Sequence, residues 1–250
     1  MTRYGLIGHP LTHSFSQRYF TEKFAREGIS NSRYDLFDMP DLEALPDLFT
    51  LPGLRGLNVT IPHKQAVLGY VHRLDTAAEK IGAINVIKFN EDGSRTGYNS
   101  DYYGFRQSLT DWLIALDRTL ANLQALVLGT GGASKAVTVA LTDLGIPYTF
   151  VSRTKTVNTL TYDELPTVIA DYHLIINGSP VGTYPRVAEA PILPYSQLTP
   201  DHLLYDLVYN PAETQFMQRG RAYGAAVHNG LRMLELQAEK AWEIWKSNDG

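Results

Sequence analysis

The chain contains no cysteine. That excludes a disulfide framework, a thiolate nucleophile and a cysteine-ligated zinc site, and no metal is expected. Long hydrophobic runs are also missing: nowhere does the sequence reach the ~18 consecutive apolar residues of a membrane span. The opening MTRYGLIGHP holds no apolar core of a secretory signal. A cytoplasmic protein with no membrane partner is therefore expected. Charge of one sign is scarce as well. The net charge of −4 gives no electrostatic basis for binding nucleic acid or an anionic surface, so any anion must be held by local basic residues. Internal repeats and low-complexity segments are absent.

What is present suits a packed protein. Hydrophobic residues make up 44% of the chain and charged residues 19%, enough apolar material to exclude global disorder. A length of 250 residues fits one large or two modest domains. In the first hundred residues short apolar runs at 3–7, 33–37 and 56–60 read as strands. A helix is predicted over 15–27, ended by Gly28. Pro62 stands where a first helical residue would, and Thr76-Ala77-Ala78-Glu79 has the spacing of a capping box before a short helix ended by Gly82. Runs at 83–89 and 94–98 flank Asn90-Glu91-Asp92-Gly93, a hairpin signal. This alternation predicts α/β structure with a mixed sheet. A long helix over 102–116 leads to a fully apolar run at 125–128, and 148–151, 174–176, 203–207 and 225–227 read as further buried strands, the pattern of a parallel sheet in a second domain. Residues 180–200, rich in proline, read as a surface loop, and the last helix, 231–246, has no strand after it.

Gly129-Thr130-Gly131-Gly132-Ala133-Ser134 follows one of those strands and opens a helix. In that setting the glycines permit a tight turn and close approach of backbone to a pyrophosphate, and the helix N-terminus supplies free N–H groups. Ser134 replaces the third glycine of the fingerprint. At the end of the next strand an NAD site carries an acid for the ribose 2′-OH. Here the chain reads Ser152-Arg153-Thr154-Lys155, and a guanidinium at that point grips a 2′-phosphate instead. The expected cofactor is NADP(H).

Polar residues gather at strand ends in the first domain: Ser14 and Ser16, Asn58-Val59-Thr60, Lys64, Asn85, Asn99 and Asp101. Singly, each is explained as a cap, a turn residue or a solvated charge. As a set they resemble the shikimate dehydrogenase family. The resemblance rests on GHPLTHSFS at 8–16, NVTIPHK at 58–64, GAIN at 82–85, GYNSD at 97–101, GTGGASKA at 129–136, SRT at 152–154, DLVYNP at 206–211 and NGLRMLELQ at 229–237.

That resemblance implies two domains: a mixed-sheet substrate domain over 1–101, completed by 229–250, and a doubly wound Rossmann-type NADP-binding domain over 102–228. It implies reduction of 3-dehydroshikimate to shikimate, with Lys64 and Asp101 as the catalytic pair. Ser14 and Ser16 would bind the substrate carboxylate, and Thr60, Asn85, Asp101 and Gln237 the ring hydroxyls, with Tyr209 in the same pocket. Gly129, Gly131, Gly132, Ala133, Ser152, Arg153, Thr154 and Lys155 would bind the dinucleotide, with Gly230 and Met233 near the nicotinamide. The small-molecule substrate is the expected partner, and a monomer or homodimer the expected state. Gln17 stands where the family usually has Pro, Ser100 where it has Thr, Ser152 where it has Asn and Thr183 where it has Met. Three rivals share features of the pattern. An NAD-using quinate/shikimate dehydrogenase would carry an acid in place of Arg153. A folate-processing dehydrogenase of similar architecture would lack the Ser14/Ser16 and Lys64/Asp101 set. A silent NADP-binding regulator would have lost Lys64 or Asp101.

Overall fold

A computed structural model describes residues 1–11 and 14–247. Thr12 and His13 of the first motif, and residues 248–250 of the expected C-terminal segment, lie outside the described residues. The chain forms two compact units, Met1–Tyr103 with Gln237–Gly250, and Gly104–Leu236. Both divisions fall inside helices, whereas the family resemblance implied boundaries after 101 and before 229.

The first unit is built from β1 (Thr2–Gly8), α1 (Phe15–Arg26), β2 (Ser32–Asp38), α2 (Leu45–Phe49), β3 (Leu54–Val59), β4 (Arg73–Leu74), α3 (Thr76–Ile81), β5 (Val86–Phe89) and β6 (Arg95–Tyr98). Among the described residues the sheet order is β2-β1-β3-β5-β6-β4. β1 pairs parallel with β2 and β3, whereas β5 runs antiparallel to β3 and β6, so the sheet is mixed. Alternate residues feed two apolar layers, as the period of two in a strand requires. Ile7, Leu57, Val59 and Ile87 pack with Leu45, Val67 and Ala78 on one face. Tyr4, Leu6 and Val86 pack on the other with Phe20 and Phe24 of α1 and with Trp242 and Trp245. The two tryptophans come from α8 (Leu231–Lys246), whose C-terminal part belongs to this unit. Trp245 lies across Gly56 of β3, where an added Cβ would stand 2.2 Å from the indole nitrogen. The indole N–H donates to Ile87 O at 3.1 Å.

Two local expectations need correction. No helix begins at Pro62; a turn follows β3, and a short 3-10 helix occupies Ala66–Tyr70. The cap of α3 is Asp75, which accepts from Ala78 N at 2.8 Å, rather than Thr76. A carboxylate at this position answers both the free N–H groups and the helix dipole.

The second unit takes in most of α4 (Ser100–Ala115), then β7 (Ala125–Leu128), α5 (Gly132–Asp143), β8 (Tyr148–Val151), β9 (Thr159–Leu160), α6 (Leu165–Val168), β10 (Leu174–Asn177), β11 (Leu203–Asp206), α7 (Gln215–Ala222) and β12 (Ala226–His228). Its sheet runs β12-β11-β10-β7-β8-β9 among the described residues, parallel throughout. Numbered within the unit that is the order 3-2-1-4-5-6 of a Rossmann fold, and the order reverses between β7 and β10. The central strands β7, β10 and β11 are buried along their whole length, as strands covered on both faces must be. Phe105 and Trp112 of α4 pack edge-on against Tyr205 of β11.

Candidate functional site

In the first unit the ends of β3, β5 and β6 deliver polar side chains to one place. Lys64 lies in the turn after β3, fixed by Ile84 N donating to its carbonyl at 2.9 Å. Asp101 sits in the first turn of α4 because Asn99 caps that helix: its Oδ1 accepts from Tyr102 N at 3.3 Å, and its Nδ2 donates to Ala83 O at 2.9 Å. The Lys64 ammonium reaches Asp101 Oδ2 at 2.6 Å. The carboxylate is nearly buried, at 8% exposure, while the lysine keeps 26%. A lysine so held offers a directed proton and a positive charge next to an accessible surface.

Asn85 is buried and anchored on three sides. Its Oδ1 accepts from Ser100 N at 2.7 Å and from the Ser100 hydroxyl at 3.2 Å, so its amide must donate outward, and it does so to Gln237 Oε1 at 3.3 Å. The departure from Thr to Ser at 100 thus keeps the hydroxyl that the contact uses. Behind Asn85, Asn58 donates to its carbonyl at 3.3 Å, and Tyr34 donates to Asn58 Oδ1 at 2.7 Å. Burial raises the Tyr34 hydroxyl well above the usual phenol range, an effect opposed by a hydrogen bond with Ser16. Tyr34 had no signal in the sequence beyond being one aromatic residue of a strand.

Ser14 is the N-cap of α1, accepting from Gln17 N at 3.1 Å. A proline at 17 could not make that bond, having no N–H. The Ser14 hydroxyl hydrogen remains available to a carboxylate. Thr60 lies just past β3, its backbone N–H bound to Ile7 O at 2.9 Å. Ser14, Ser16, Thr60, Lys64, Asn85, Asp101 and Gln237 therefore all belong to the first unit; Tyr209, Gly230 and Met233 belong to the second.

In the second unit the turn after β7 lies at the reversal of strand order, where open parallel sheets bind their ligands. Gly129 adopts φ +91°, a conformation costly for any residue with a side chain. Gly131 is the N-cap of α5 and gives it no side-chain cap, so the first-turn N–H groups face an exposed backbone at 131–133. Such a terminus favours a phosphate. Ser134 is wholly buried and its hydroxyl has no partner among the described residues. At the end of β8, Ser152 Oγ accepts from Thr154 N at 3.3 Å, tightening the turn that carries Arg153. Arg153 is exposed. Lys155, by contrast, is bound by Glu164 at 2.6 and 2.7 Å. The lysine, with Thr161, holds the Glu164 carboxyl down at about 2. These residues fit a phosphorylated dinucleotide: an uncapped helix end for the pyrophosphate, and a guanidinium with no acid beside it in the turn.

A Rossmann-ordered sheet with such a turn, joined in one chain to a mixed-sheet unit holding a lysine–carboxylate pair, defines a two-unit protein of the dinucleotide-binding α/β class. Comparison with known proteins narrows the class. A model of the shikimate dehydrogenase substrate binding domain matches residues 6–87. Shikimate dehydrogenase (NADP(+)) of Methanococcus maripaludis is 36% identical over 260 residues, covering 96% of this chain and 90% of the relative. The crystal structure of a chorismate mutase/shikimate 5-dehydrogenase fusion protein from Clostridium acetobutylicum superposes with a TM-score of 0.85 at 36% identity, covering 98% of this chain and 90% of that one. Shikimate 5-dehydrogenase from Thermus thermophilus, solved in complex with NADP(H) and shikimate, gives a TM-score of 0.83 at 30% identity, with coverages of 98% and 94%. The chain belongs to the shikimate dehydrogenase family.

Proposed function

We propose that this chain catalyses the NADPH-dependent reduction of 3-dehydroshikimate to shikimate, a step of aromatic amino-acid biosynthesis. The observation that carries the reading is the 2.6 Å contact between Lys64 and Asp101, two residues 37 positions apart. NADPH supplies the hydride; the chain's own residues bind, orient and move the proton. Ser14 and Ser16 donate to the substrate carboxylate. Thr60, Asn85 and Gln237 hold ring hydroxyls, and Asn85 is able to donate because Ser100 occupies its carbonyl oxygen. As the ketone carbon gains hydride, negative charge builds on its oxygen. The Lys64 ammonium stabilises that charge and transfers a proton to it, leaving a neutral amine and an alcohol. Asp101 orients the amine and accepts from a neighbouring hydroxyl. In the reverse direction the neutral amine takes the hydroxyl proton.

On the cofactor side, Gly129, Gly131, Gly132 and Ala133 receive the pyrophosphate, and Ser152, Arg153 and Thr154 the phosphorylated ribose. Lys155 stands beside them, already engaged by Glu164. Tyr209 is assigned to the substrate pocket, with Gly230 and Met233 near the nicotinamide. The same reading makes the chain a cytoplasmic monomer or homodimer; no described helix is long and apolar enough to cross a membrane. The test is a spectrophotometric assay with shikimate as the reductant. NADP⁺ should be reduced with a clear preference over NAD⁺. Failure to oxidise shikimate with either dinucleotide would overturn the proposal, and equal use of both would remove the role given to Arg153.

A further inference from the structure

The DLVYNP motif puts Asp206 at the end of β11, and the proposed chemistry does not use it. Its side chain is wholly buried. Neutral donors hold it: Asn177 Nδ2 at 2.9 Å and Val208 N at 3.0 Å on one oxygen, and the Thr214 hydroxyl at 2.6 Å on the other. Burying a carboxylate among neutral groups is costly, and an apolar residue of similar size would ordinarily serve stability better. The consequence lies in what those donors do next. Asn177, oriented by Asp206 and by a bond to Val181 O at 3.3 Å, turns its own oxygen to Ser179, accepting the N–H at 3.1 Å and the hydroxyl at 2.7 Å. Ser179 stands directly against Gly129, where an added Cβ would meet the Ser179 Cβ at 3.3 Å. On the other branch, Val208 receives Gly230 N on its carbonyl at 3.1 Å. One carboxylate is thus connected to Gly230 by hydrogen bonds through Val208, and to Ser179, which packs against Gly129, by hydrogen bonds through Asn177.

We infer that Asp206 is a positioning residue for the dinucleotide, fixing through Asn177–Ser179 and through Val208 the two backbone segments against which Gly129 and Gly230 are set. The inference rests on the reading that these glycines bind NADP(H). It predicts a particular pattern among substitutions. Asp206→Ala removes both acceptors and leaves Asn177 held only through Val181 and Ser179. Asp206→Asn keeps one oxygen for Asn177 and Val208, and its amide donates to a Thr214 hydroxyl rotated to accept.

The test is NADP⁺ binding measured by calorimetry on the folded protein. Asp206→Ala should weaken NADP⁺ binding by about tenfold or more, whereas Asp206→Asn should stay within about threefold of wild type. Shikimate binding to Asp206→Ala without dinucleotide should weaken less than NADP⁺ binding does, since every proposed substrate residue except Tyr209 belongs to the other unit. An Asp206→Ala protein that binds NADP⁺ within about twofold of wild type would overturn the inference. So would equal losses in the Ala and Asn proteins. If Asp206→Ala does not fold, Asn177→Ala, which leaves the carboxylate its other two donors, is held to the same thresholds. Wild-type protein that binds shikimate but not NADP⁺ would overturn the underlying reading, and the inference with it.

Discussion

Arg153 and Lys155 leave the same strand yet meet different surroundings. Arg153 projects from the turn with no carboxylate partner among the described residues, whereas Lys155 is held by Glu164. On the proposed reading, discrimination for the 2′-phosphate therefore falls on Arg153. Arg153→Ala should raise the Michaelis constant for NADPH by about 10- to 150-fold, the equivalent of a charge-assisted bond, and change that for NADH little. Lys155→Ala should have the smaller effect. Steady-state kinetics with both dinucleotides check this, and equal losses for NADPH and NADH would contradict it. Asp206 gives a second prediction at this scale. Burial pushes its pKa up to about 6 from 3.8, against the hydrogen bonds from Thr214, Val208 and Asn177 that favour the ionised form. A group with a raised folded-state pKa contributes stability below its unfolded value and loses it as pH rises through the folded value. Wild-type stability should therefore carry a downward contribution between about pH 4 and about pH 6, of order 3 kcal/mol in total. In Asp206→Asn that contribution vanishes. Urea unfolding across this range should show the Asn protein gaining on wild type as pH rises; parallel profiles would contradict it.

Among the elements, β3 and α8 depend on each other most directly. Gly56 leaves the space that the Trp245 indole fills, and the indole N–H satisfies Ile87 O. Gly56→Ala should force Trp245 aside and destabilise the protein by about 1–3 kcal/mol, the usual cost of overpacking a filled core. Chemical denaturation, followed by tryptophan fluorescence, reads both effects; an unchanged midpoint would show that the helix yields without cost. How well elements could be read from sequence follows from their length and burial. Long apolar or periodic segments such as α1, α8, β7 and β10 were legible because their patterns exceed what turns produce. β4 and β9, of two residues each, were not, since two residues carry no period. Nor was α7, which interrupts no pattern and rests on a Thr214 cap. At α3 both Asp75 and Thr76 are good capping residues, and only the backbone decides which hydroxyl or carboxylate meets Ala78 N.

At the scale of the whole molecule, the parallel sheet with its reversal between β7 and β10 places the glycine turn where open parallel sheets bind their ligands, and the mixed sheet gathers the ends of β3, β5 and β6. The glycine turn was legible because all its parts are adjacent in sequence. The Lys64–Asp101 contact was not legible from spacing; the family resemblance alone joined the two residues, and the cap by Asn99 supplies the physical reason that they meet. The support from Tyr34 and Asn58, and the anchoring of Asn177 by Asp206, lay beyond the sequence because each depends on which strands are neighbours. The central claim is that this pair performs proton transfer. Lys64→Met tests it most directly, with turnover and shikimate affinity measured on the same folded protein. An ammonium binds a ground-state ketone weakly and a developing alkoxide strongly, so turnover should fall by roughly 10²- to 10⁴-fold while shikimate affinity stays within a few fold. Turnover near the wild-type rate would remove Lys64 from the chemistry and contradict the account.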